Sequence, residues 1–168
     1  MRLKAMAKIN LGLDVLGKRE DGYHEVRMIM QTIRMYDILD IRKTRRPGIV
    51  LTTNLPFIPT DQRNLVYKAA QMLMEEFDVE EGLSIKLRKF IPVAAGMAGG
   101  SSDAAAAFVG VNRMFHLGLT EEQLMERAVK VGADVPYCIM RGTALAEGIG
   151  EKLTRLPEVP KCYVLIGK

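Results

Sequence analysis

An α+β fold is predicted by this sequence, because a β-rich opening is followed by segments with helical patterning. Residues 3–16 alternate apolar and polar side chains with a period of two, as in a strand that buries one face. From Asn64 onward, apolar residues recur at helical spacing. The chain has 168 residues, of which 48% are hydrophobic, and this is enough for one substantial core.

The opening third is expected to form three strands arranged as a β-meander. The first strand spans about 3–16, and its polar face carries Lys8 and Asn10, which point the same way because they are two residues apart. β-Branched residues and methionines extend the strand pattern over 25–42, and a short third strand is predicted at 49–53.

Helices and one further strand are predicted after a proline-rich loop. A helix is expected to begin at Asn64, and an alternating strand at 83–90 ends where an Ile-Pro pair removes a backbone donor. Small helix-forming residues predict a second helix over 101–114. Thr120, with a glutamine three residues later, resembles a capping box that opens a third helix, which is expected to end near Gly132.

Two short strands are predicted near the end of the chain, at 143–147 and 162–166, with glycines and prolines between them. The chain stops two residues after the second of these predicted strands. Such an ending is unusual for a complete domain, so we expect a piece of a longer protein.

The charge of the chain admits more than one class of partner. A formal net charge of +4 and an isoelectric point near 9.1 are compatible with an anionic substrate and equally with an ordinary basic surface. Part of the basic excess lies in a cluster at 42–46, beside a Pro-Gly turn. We interpret this cluster as a solvated hairpin end, and nucleic-acid binding is the alternative.

Cysteine and histidine usage argues against a metal centre or a disulfide scaffold. Cys138 and Cys162 have no short spacing, and His24 and His116 lie at no ligand spacing from them. Such sparse cysteine usage fits a reducing, cytoplasmic compartment. The first 24 residues are interrupted by charged side chains, so they resemble neither a signal peptide nor a membrane span.

The most informative stretch is IPVAAGMAGGSSDA at 91–104, which lies between a predicted strand and a predicted helix. Its three glycines allow positive φ angles and let backbone N–H groups approach an anion. The helix that follows offers unpaired amides and the positive end of its dipole, and Ser101 and Ser102 add hydroxyl groups. The stretch therefore predicts a phosphate site.

Two general phosphate-binding motifs do not match this glycine-rich stretch. No lysine follows the glycines as in GxxxxGK[ST], and the spacing is not that of GxGxxG. A flexible loop, in which a serine or an aspartate caps the helix, is the alternative interpretation of the same residues.

Residues 92–106 resemble the glycine-rich second motif of the GHMP kinases, the family of galactokinase, homoserine kinase and mevalonate kinase. Three further segments resemble the branch of this family that phosphorylates a methylerythritol carrying a cytidine diphosphate. They are AKINL at 7–11, DGYH at 21–24 and GADVP at 132–136, in the order found in that branch. The resemblance covers essentially the whole chain. It implies the fold of GHMP N-terminal domains, called ribosomal protein S5 domain 2-like, with helices on one side of a sheet.

The resemblance also implies residue roles. Asp134 would be the general base, and Lys8 would hold the reacting hydroxyl and stabilise phosphoryl charge. Tyr23 and His24 would stack on and recognise the cytosine, and Asn10 would contact the substrate beside Lys8. The implied ATP-binding set comprises Pro92, Val93, Ala94, Ala95, Gly96, Met97, Ala98, Gly99, Gly100, Ser101, Ser102 and Asn64.

Each of these residues has an ordinary structural interpretation as well. Asp134 would cap a turn or a helix, Lys8 would face solvent on its strand, and Asn64 would cap its helix. Tyr23 would be half-buried at a strand end, and His24 would be an exposed turn residue. Without the resemblance, residue type and position alone would favour these structural interpretations.

The implied reaction is ATP-dependent phosphorylation of a hydroxyl in isoprenoid precursor synthesis, with ATP and Mg²⁺ as cofactors. The partner would be a small molecule in the cytoplasm; no membrane partner is expected, and a homo-oligomer is left open. Residues 1–168 would form one ATP-binding domain. The third glycine motif and the C-terminal domain of the family have no counterpart here, so we do not expect this chain alone to be fully active.

Two rival functions are kept. One is another GHMP kinase that phosphorylates a sugar or an alcohol without a cytidine, and the DGYH segment at 21–24 argues against it. The other is a non-catalytic nucleic-acid-binding domain of the same fold, which leaves the glycine-rich stretch unexplained. That stretch carries alanines where many relatives have glycine, and these should stiffen it.

Overall fold

The computed structural model describes residues 1–167, in which one mixed sheet packs against helices. Three strands, a helix and a fourth strand precede the glycine-rich loop, which spans residues 89–98. Three helices and two strands follow it. The elements of this range are β1 (Arg2–Lys18), β2 (His24–Thr44), β3 (Ile49–Thr53), α1 (Leu65–Glu76), β4 (Gly82–Arg88), α2 (Gly99–Phe115), α3 (Glu121–Ala128), α4 (Val135–Met140), β5 (Thr143–Gly148) and β6 (Lys152–Arg155).

The long strand β2 organises the sheet. It pairs antiparallel with β1 along most of its length, with β4 towards its end and with β5 towards its start. β3 pairs in parallel with β4, and β6 pairs antiparallel with β5. The predicted meander was wrong, because β4 and not β3 lies next to β2. α1 supplies the crossover that the parallel pair of β3 and β4 requires.

Most predicted strands are confirmed. Five agree with the structure to within two residues at each end: 3–16, 25–42, 49–53, 83–90 and 143–147. The predicted strand at 162–166 was wrong, because this segment has no regular structure and the side chains of Tyr163 and Leu165 are fully exposed. No neighbouring strand or core contact stabilises an extended pairing there, and the last strand of the described residues is β6.

Two helices begin at the residues that were predicted to cap them, whereas α2 begins at Gly99, two residues before the predicted start, and no serine or aspartate caps it. Asn64 caps α1 by accepting a backbone hydrogen bond at 2.9 Å, and Thr120 and Gln123 form the reciprocal capping box of α3. α3 ends at Ala128, earlier than the position near Gly132 that was predicted, and the six-residue α4 was not predicted. Among residues 1–167, none of the helices has both the length and the apolar character needed to cross a membrane.

α2 packs closely on the sheet at Gly110, and many of its buried residues are small. The alanines at 104–107 are buried, and a Cβ added to Gly110 would lie 2.4 Å from Ile41 Cδ1 and 2.7 Å from Leu3 Cδ1. Interiors packed to this density do not let a helix shift. The start of α2, and with it the glycine-rich loop, is therefore fixed against β1 and β2.

The hairpin of β1 and β2 has a buried half and an exposed half. Ala5 and Ala7 are fully buried, whereas Leu11, Leu13 and Val15 are 52%, 49% and 59% exposed. The single buried face predicted for the first strand is therefore confirmed only for its first half. The exposure of the second half means that no other part of residues 1–167 covers it.

Candidate active site

The backbone of the glycine-rich loop alternates in conformation between β4 and α2. Ala94, Gly96 and Ala98 have positive φ angles of 57°, 72° and 53°, and the residues between them do not. Such alternation turns successive N–H groups towards one side and forms a concavity that binds anions. Two alanines in the left-handed region carry strain that glycine would avoid, and strain of this kind clusters at ligand-binding backbone.

The concavity opens into a cleft of about 360 Å³. Its walls are the loop itself, the start of α2 at Gly99 and Gly100, and residues of the 58–65 segment that leads into α1. Ala98 precedes α2 and makes no side-chain cap, so the first N–H groups of the helix are left to a ligand or to solvent. An anion bound there would also meet the positive end of the helix dipole.

Three polar residues of the predicted ATP-binding set differ in what they offer a ligand. Ser102 is buried, and its hydroxyl donates to the Met6 carbonyl at 2.6 Å, so it joins α2 to β1. Asn64 is buried too: its Oδ1 caps α1, and its amide donates to the Pro59 carbonyl at 2.7 Å. Ser101 is only half-buried, and its hydroxyl has no hydrogen-bond partner among residues 1–167. Of the three, Ser101 is the side chain still able to take up a ligand without losing another contact.

Lys8, Asn10 and Asp134 come together beside this loop. The Lys8 ammonium lies 3.7 Å from Asp134 Oδ2 and donates to Asn10 Oδ1 at 3.0 Å. Only 6% of the Lys8 side chain is exposed, compared with 33% of the Asp134 side chain. An accessible carboxylate next to a buried cation can take a proton from a substrate while the cation offsets nearby negative charge.

Backbone features place Lys8 against the loop. Its N–H donates to the Met97 carbonyl at 3.2 Å, and the register of β1 with β2 shifts between Met6 and Lys8. Shifts of this kind mark a bulge, which re-aims side chains. Consistent with a bulge, the consecutive residues Ala7 and Lys8 are both buried, and the prediction that Lys8 lies on an exposed strand face does not hold.

Asp134 stands at the start of α4, but its carboxylate does not cap the helix. The side chain accepts no hydrogen bond from the helix backbone, although its carbonyl accepts one from the Cys138 N–H at 3.1 Å. The capping interpretation therefore does not describe the carboxylate, which pairs with Lys8. Burial raises the pKa of the neighbouring Cys138 thiol to about 12, so this thiol stays protonated at neutral pH and is no nucleophile.

Tyr23 and His24 lie at the far end of the hairpin. His24 pairs with Lys18, whereas Lys8 pairs with Thr32. The separation along β1 is on the order of 30 Å for a straight strand at about 3.3 Å per residue, and less where bulges bend it. Tyr23 is 60% exposed, and His24 is exposed as well. Residues 1–167 therefore bring Lys8, Asn10 and Asp134 together but do not bring Tyr23 and His24 to them.

A buried ionic cluster beside the loop was missed in the sequence. The Lys89 ammonium donates to Asp37 and, at 2.6 Å, to Asp103, and all three side chains are at most 5% exposed. Asp37 also accepts hydrogen bonds from the N–H groups of Phe90 and Ile91. The available signals were an aspartate between apolar residues of a strand and a lysine two residues before the Ile-Pro pair. Their contact spans 52 residues of sequence, which no local spacing reveals.

Sequence comparisons identify a family model and several named relatives that match this chain. Residues 64–142 match the family model described as the GHMP kinases N terminal domain. Relatives named 4-diphosphocytidyl-2-C-methyl-D-erythritol kinase include one from Lachnospira eligens, 57% identical over 100% of this chain and 58% of its own length. Another, from Lachnoclostridium phytofermentans, is 58% identical over 99% of this chain and 57% of its own length. This chain thus spans a little more than half the length of the relatives that it matches.

Solved structures share the fold. A crystal structure of 4-(cytidine 5'-diphospho)-2C-methyl-D-erythritol kinase superposes with a TM-score of 0.79 and 35% identity, over 93% of this chain and 55% of that one. The mevalonate kinase of Methanococcus jannaschii superposes with a TM-score of 0.71 at 15% identity, over 94% of this chain and 56% of its own, which shows the shared fold alone. The predicted α+β fold of GHMP N-terminal domains is confirmed.

Proposed function

We propose that this chain, which belongs to the GHMP kinases, is the ATP-binding part of a 4-diphosphocytidyl-2-C-methyl-D-erythritol kinase. The whole protein would transfer the γ-phosphoryl group of ATP to a hydroxyl of that substrate, in the synthesis of isoprenoid precursors. Relatives that carry this name and match the chain from end to end support the proposal. Residues 1–168 would form the nucleotide-binding domain, and the remaining length of the relatives would supply the rest of the enzyme.

One contact carries the proposal: the Lys8 N–H donates to the Met97 carbonyl, inside the glycine-rich loop. This bond makes the pair of Lys8 and Asp134 a neighbour of the anion-binding backbone. A phosphate held by the loop and a hydroxyl held at Asp134 would then be close to each other. Phosphoryl transfer depends mainly on such positioning and on charge stabilisation.

The proposed step assigns one role to each side chain. Asp134 accepts the hydroxyl proton while the oxygen forms a bond to the γ-phosphorus, and the bond to the bridging oxygen breaks as ADP leaves. Lys8 holds the carboxylate and offsets the charge on the transferring group. Asn10, which accepts from the Lys8 ammonium at 3.0 Å, keeps the lysine oriented and contacts the substrate. The half-exposed Asp134 suits this role because a hydroxyl must reach it.

Mg²⁺ would find suitable oxygen ligands beside the glycine-rich loop, outside the residues that line its cleft. Ser101 has a hydroxyl with no partner among residues 1–167, and Asp134 has an accessible carboxylate; both are hard oxygen ligands of the kind that Mg²⁺ prefers. The described residues contain no group of three or more His, Cys, Asp and Glu arranged to hold a metal, so ATP phosphates would have to complete the coordination. The ion would neutralise phosphate charge when bound.

The identity of the alcohol is the less supported part of the proposal. Tyr23 and His24 are exposed and available for a cytosine, but they lie far along the hairpin from Lys8. This separation requires a long substrate or a bent hairpin. It favours, as a second candidate function, a GHMP kinase that phosphorylates a shorter alcohol without a cytidine.

Nucleic-acid binding through the basic cluster at 42–46 is less well supported. Lys43 already pairs with Glu81 at 3.2 Å, and its ammonium lies 4.5 Å from the centre of the Phe115 ring. These are surface contacts, but the predicted hairpin end was wrong, because β3 pairs with β4 and not with β2. We place the protein in the cytoplasm, with a small-molecule substrate, in line with its two unpaired cysteines.

The test is phosphoryl transfer from ATP to 4-diphosphocytidyl-2-C-methyl-D-erythritol, measured for the full-length protein and for this chain. Asp134→Asn in the full-length protein is the matched variant, and we expect it to lower kcat by about 10²- to 10⁴-fold, the usual contribution of general-base catalysis. A folded, full-length protein that is inactive on this substrate but phosphorylates another alcohol would support the second candidate. Retained activity in Asp134→Asn would contradict the assigned base.

A further inference from the structure

We propose that the cluster of Lys89, Asp37 and Asp103 is a positioning device for the glycine-rich loop, and that it sets the affinity for ATP without entering the chemical step. The proposal rests on the proposed function only in naming ATP as the ligand. The contacts of the three residues hold both ends of the loop, whatever ligand binds there.

The cluster first fixes the entrance of the loop. Lys89 follows the last residue of β4, and the next two N–H groups, of Phe90 and Ile91, both donate to Asp37 Oδ1. Asn54 holds the Lys89 backbone from the other side: it accepts from the Lys89 N–H at 2.7 Å and donates to the Lys89 carbonyl at 3.1 Å. The chain cannot change direction here without breaking several buried or half-buried hydrogen bonds.

The same lysine fixes the exit of the loop. Asp103 lies early in α2 and accepts from the Lys89 ammonium at 2.6 Å. The ammonium also lies 3.1 Å from where a Cβ on Gly99 would stand, so it packs directly against the start of the helix. Lys89 and Asp103 both line the cleft that the loop surrounds. One ammonium therefore joins the two ends of the anion-binding backbone.

Contacts at both ends of the loop explain how the strained backbone between these ends persists. Ala94 and Ala98 have positive φ angles, which cost about 1–2 kcal/mol each for residues other than glycine. Such conformations persist only where surrounding contacts over-determine them. The cluster supplies contacts of that kind at both ends of the loop, and the bond from Lys8 to Met97 adds one in the middle. N–H groups held in this way need no reordering when an anion binds.

The charge state of the cluster suits an anion site. Asp37 accepts from three donors, whereas Asp103 accepts from Lys89 only, and its Oδ1 is buried without a partner among residues 1–167. Burial raises the pKa of the Asp103 carboxyl well above its usual range, against the opposing effect of Lys89. The raised pKa favours the uncharged form of Asp103, which lowers the negative charge that the cluster places next to the bound phosphates.

The test compares variants of the full-length protein in ATP affinity and in amide hydrogen exchange of residues 90–99. The variants are Lys89→Met and the double change Lys89→Met with Asp37→Asn. If the single variant fails to fold, the double variant leaves only the Asp103 carboxyl buried without a cation, and the raised pKa of that carboxyl favours its uncharged form. Lys43→Met is the matched control, because Lys43 also pairs with a carboxylate, but on the surface. Kd for ATP, KM for ATP and kcat are measured for each folded variant.

We expect the folded cluster variants to exchange the amides of 90–99 at least about tenfold faster and to bind ATP about tenfold more weakly, with kcat at saturating ATP changed less than about threefold. Lys43→Met should match the wild type in every readout. Wild-type exchange and ATP affinity in a folded cluster variant would overturn the proposal, as would a loss confined to kcat. If the wild type bound no ATP, the proposed function would fail, while the exchange rates would still decide whether the cluster holds the loop.

Discussion

Two buried lysines touch the glycine-rich loop, and their carboxylate partners differ. Lys8 lies 3.7 Å from Asp134, whose side chain is 33% exposed, whereas Lys89 contacts Asp37 and Asp103, which are at most 3% exposed. The first carboxylate is open to a substrate, whereas the other two are almost fully buried and are held by Lys89. The accessibility of the partner carboxylate, and not the burial of the lysine, separates a candidate catalytic pair from a positioning one.

Substitutions of the two lysines should differ most in their effect on the free energy of unfolding. Lys89→Met leaves two carboxyl groups buried without their cation, and breaking a buried pair in this way costs about 3–5 kcal/mol. Lys8→Met leaves a partly solvated carboxylate, so its cost should be no more than about 1 kcal/mol. Urea unfolding of both variants measures the two losses. Equal losses would mean that the sites do not differ as their exposure indicates.

A smaller effect is expected for the hydrogen bond that joins the loop side of the molecule to the strand that carries Lys8. Ser102→Ala removes the donor to the buried Met6 carbonyl and should lower the free energy of unfolding by about 1–3 kcal/mol. Ser101→Ala is the matched control, because that hydroxyl is half-buried and has no partner among residues 1–167. Equal stability of the two variants would indicate that the Ser102 bond does not join the two sites.

Replacing a strained alanine of the loop by glycine should modestly raise the free energy of unfolding. Ala98→Gly relieves a left-handed alanine and should raise the free energy of unfolding by about 1 kcal/mol, less the entropy that glycine loses on folding. The matched change Ala105→Gly, in the middle of α2, should lower stability by about 1 kcal/mol. Thermal unfolding of both variants shows whether each substitution raises or lowers the stability. A loss in Ala98→Gly as large as that in Ala105→Gly would argue against strain.

The smallest effect expected is a pH dependence carried by Asp103. Its pKa is raised by folding, so its stabilising contribution is present below the ordinary value of 3.8 and is lost as pH rises through the folded value. Asp103→Asn keeps an acceptor for Lys89 but does not titrate. The wild type should therefore lose stability relative to Asp103→Asn as pH rises above about 4, in urea unfolding at a series of pH values. A constant difference across that range would show that Asp103 does not titrate as its burial indicates.

Local patterns in the sequence predicted most elements and the loop. Asn64 and the Thr120 capping box mark helix starts by side-chain chemistry that acts over three residues, and period two identifies β1. The pairing of β4 with β2 could not be predicted, since it depends on contacts between distant segments. α4 escaped notice because its six residues are too few for a helical period.

The candidate site was predictable only in part. Lys8 and Asn10 share a strand face two residues apart, and Asp134 joined them only through resemblance to a family. The burial of Lys8 depends on a bulge that the alternating pattern hid. The contact of Lys89 with Asp37, 52 residues away, exists only once β4 lies beside β2.

Steady-state kinetics of Lys8→Met and Lys89→Met in the full-length protein would show whether the two lysines have different roles. We expect Lys8→Met to lower kcat by about 10²- to 10³-fold with little change in KM for ATP, as for a group that stabilises transition-state charge. Lys89→Met, or its double variant with Asp37→Asn, should instead raise KM for ATP about tenfold and leave kcat within about threefold. The opposite assignment, or the same loss of kcat in both, would contradict the division of labour between the two lysines.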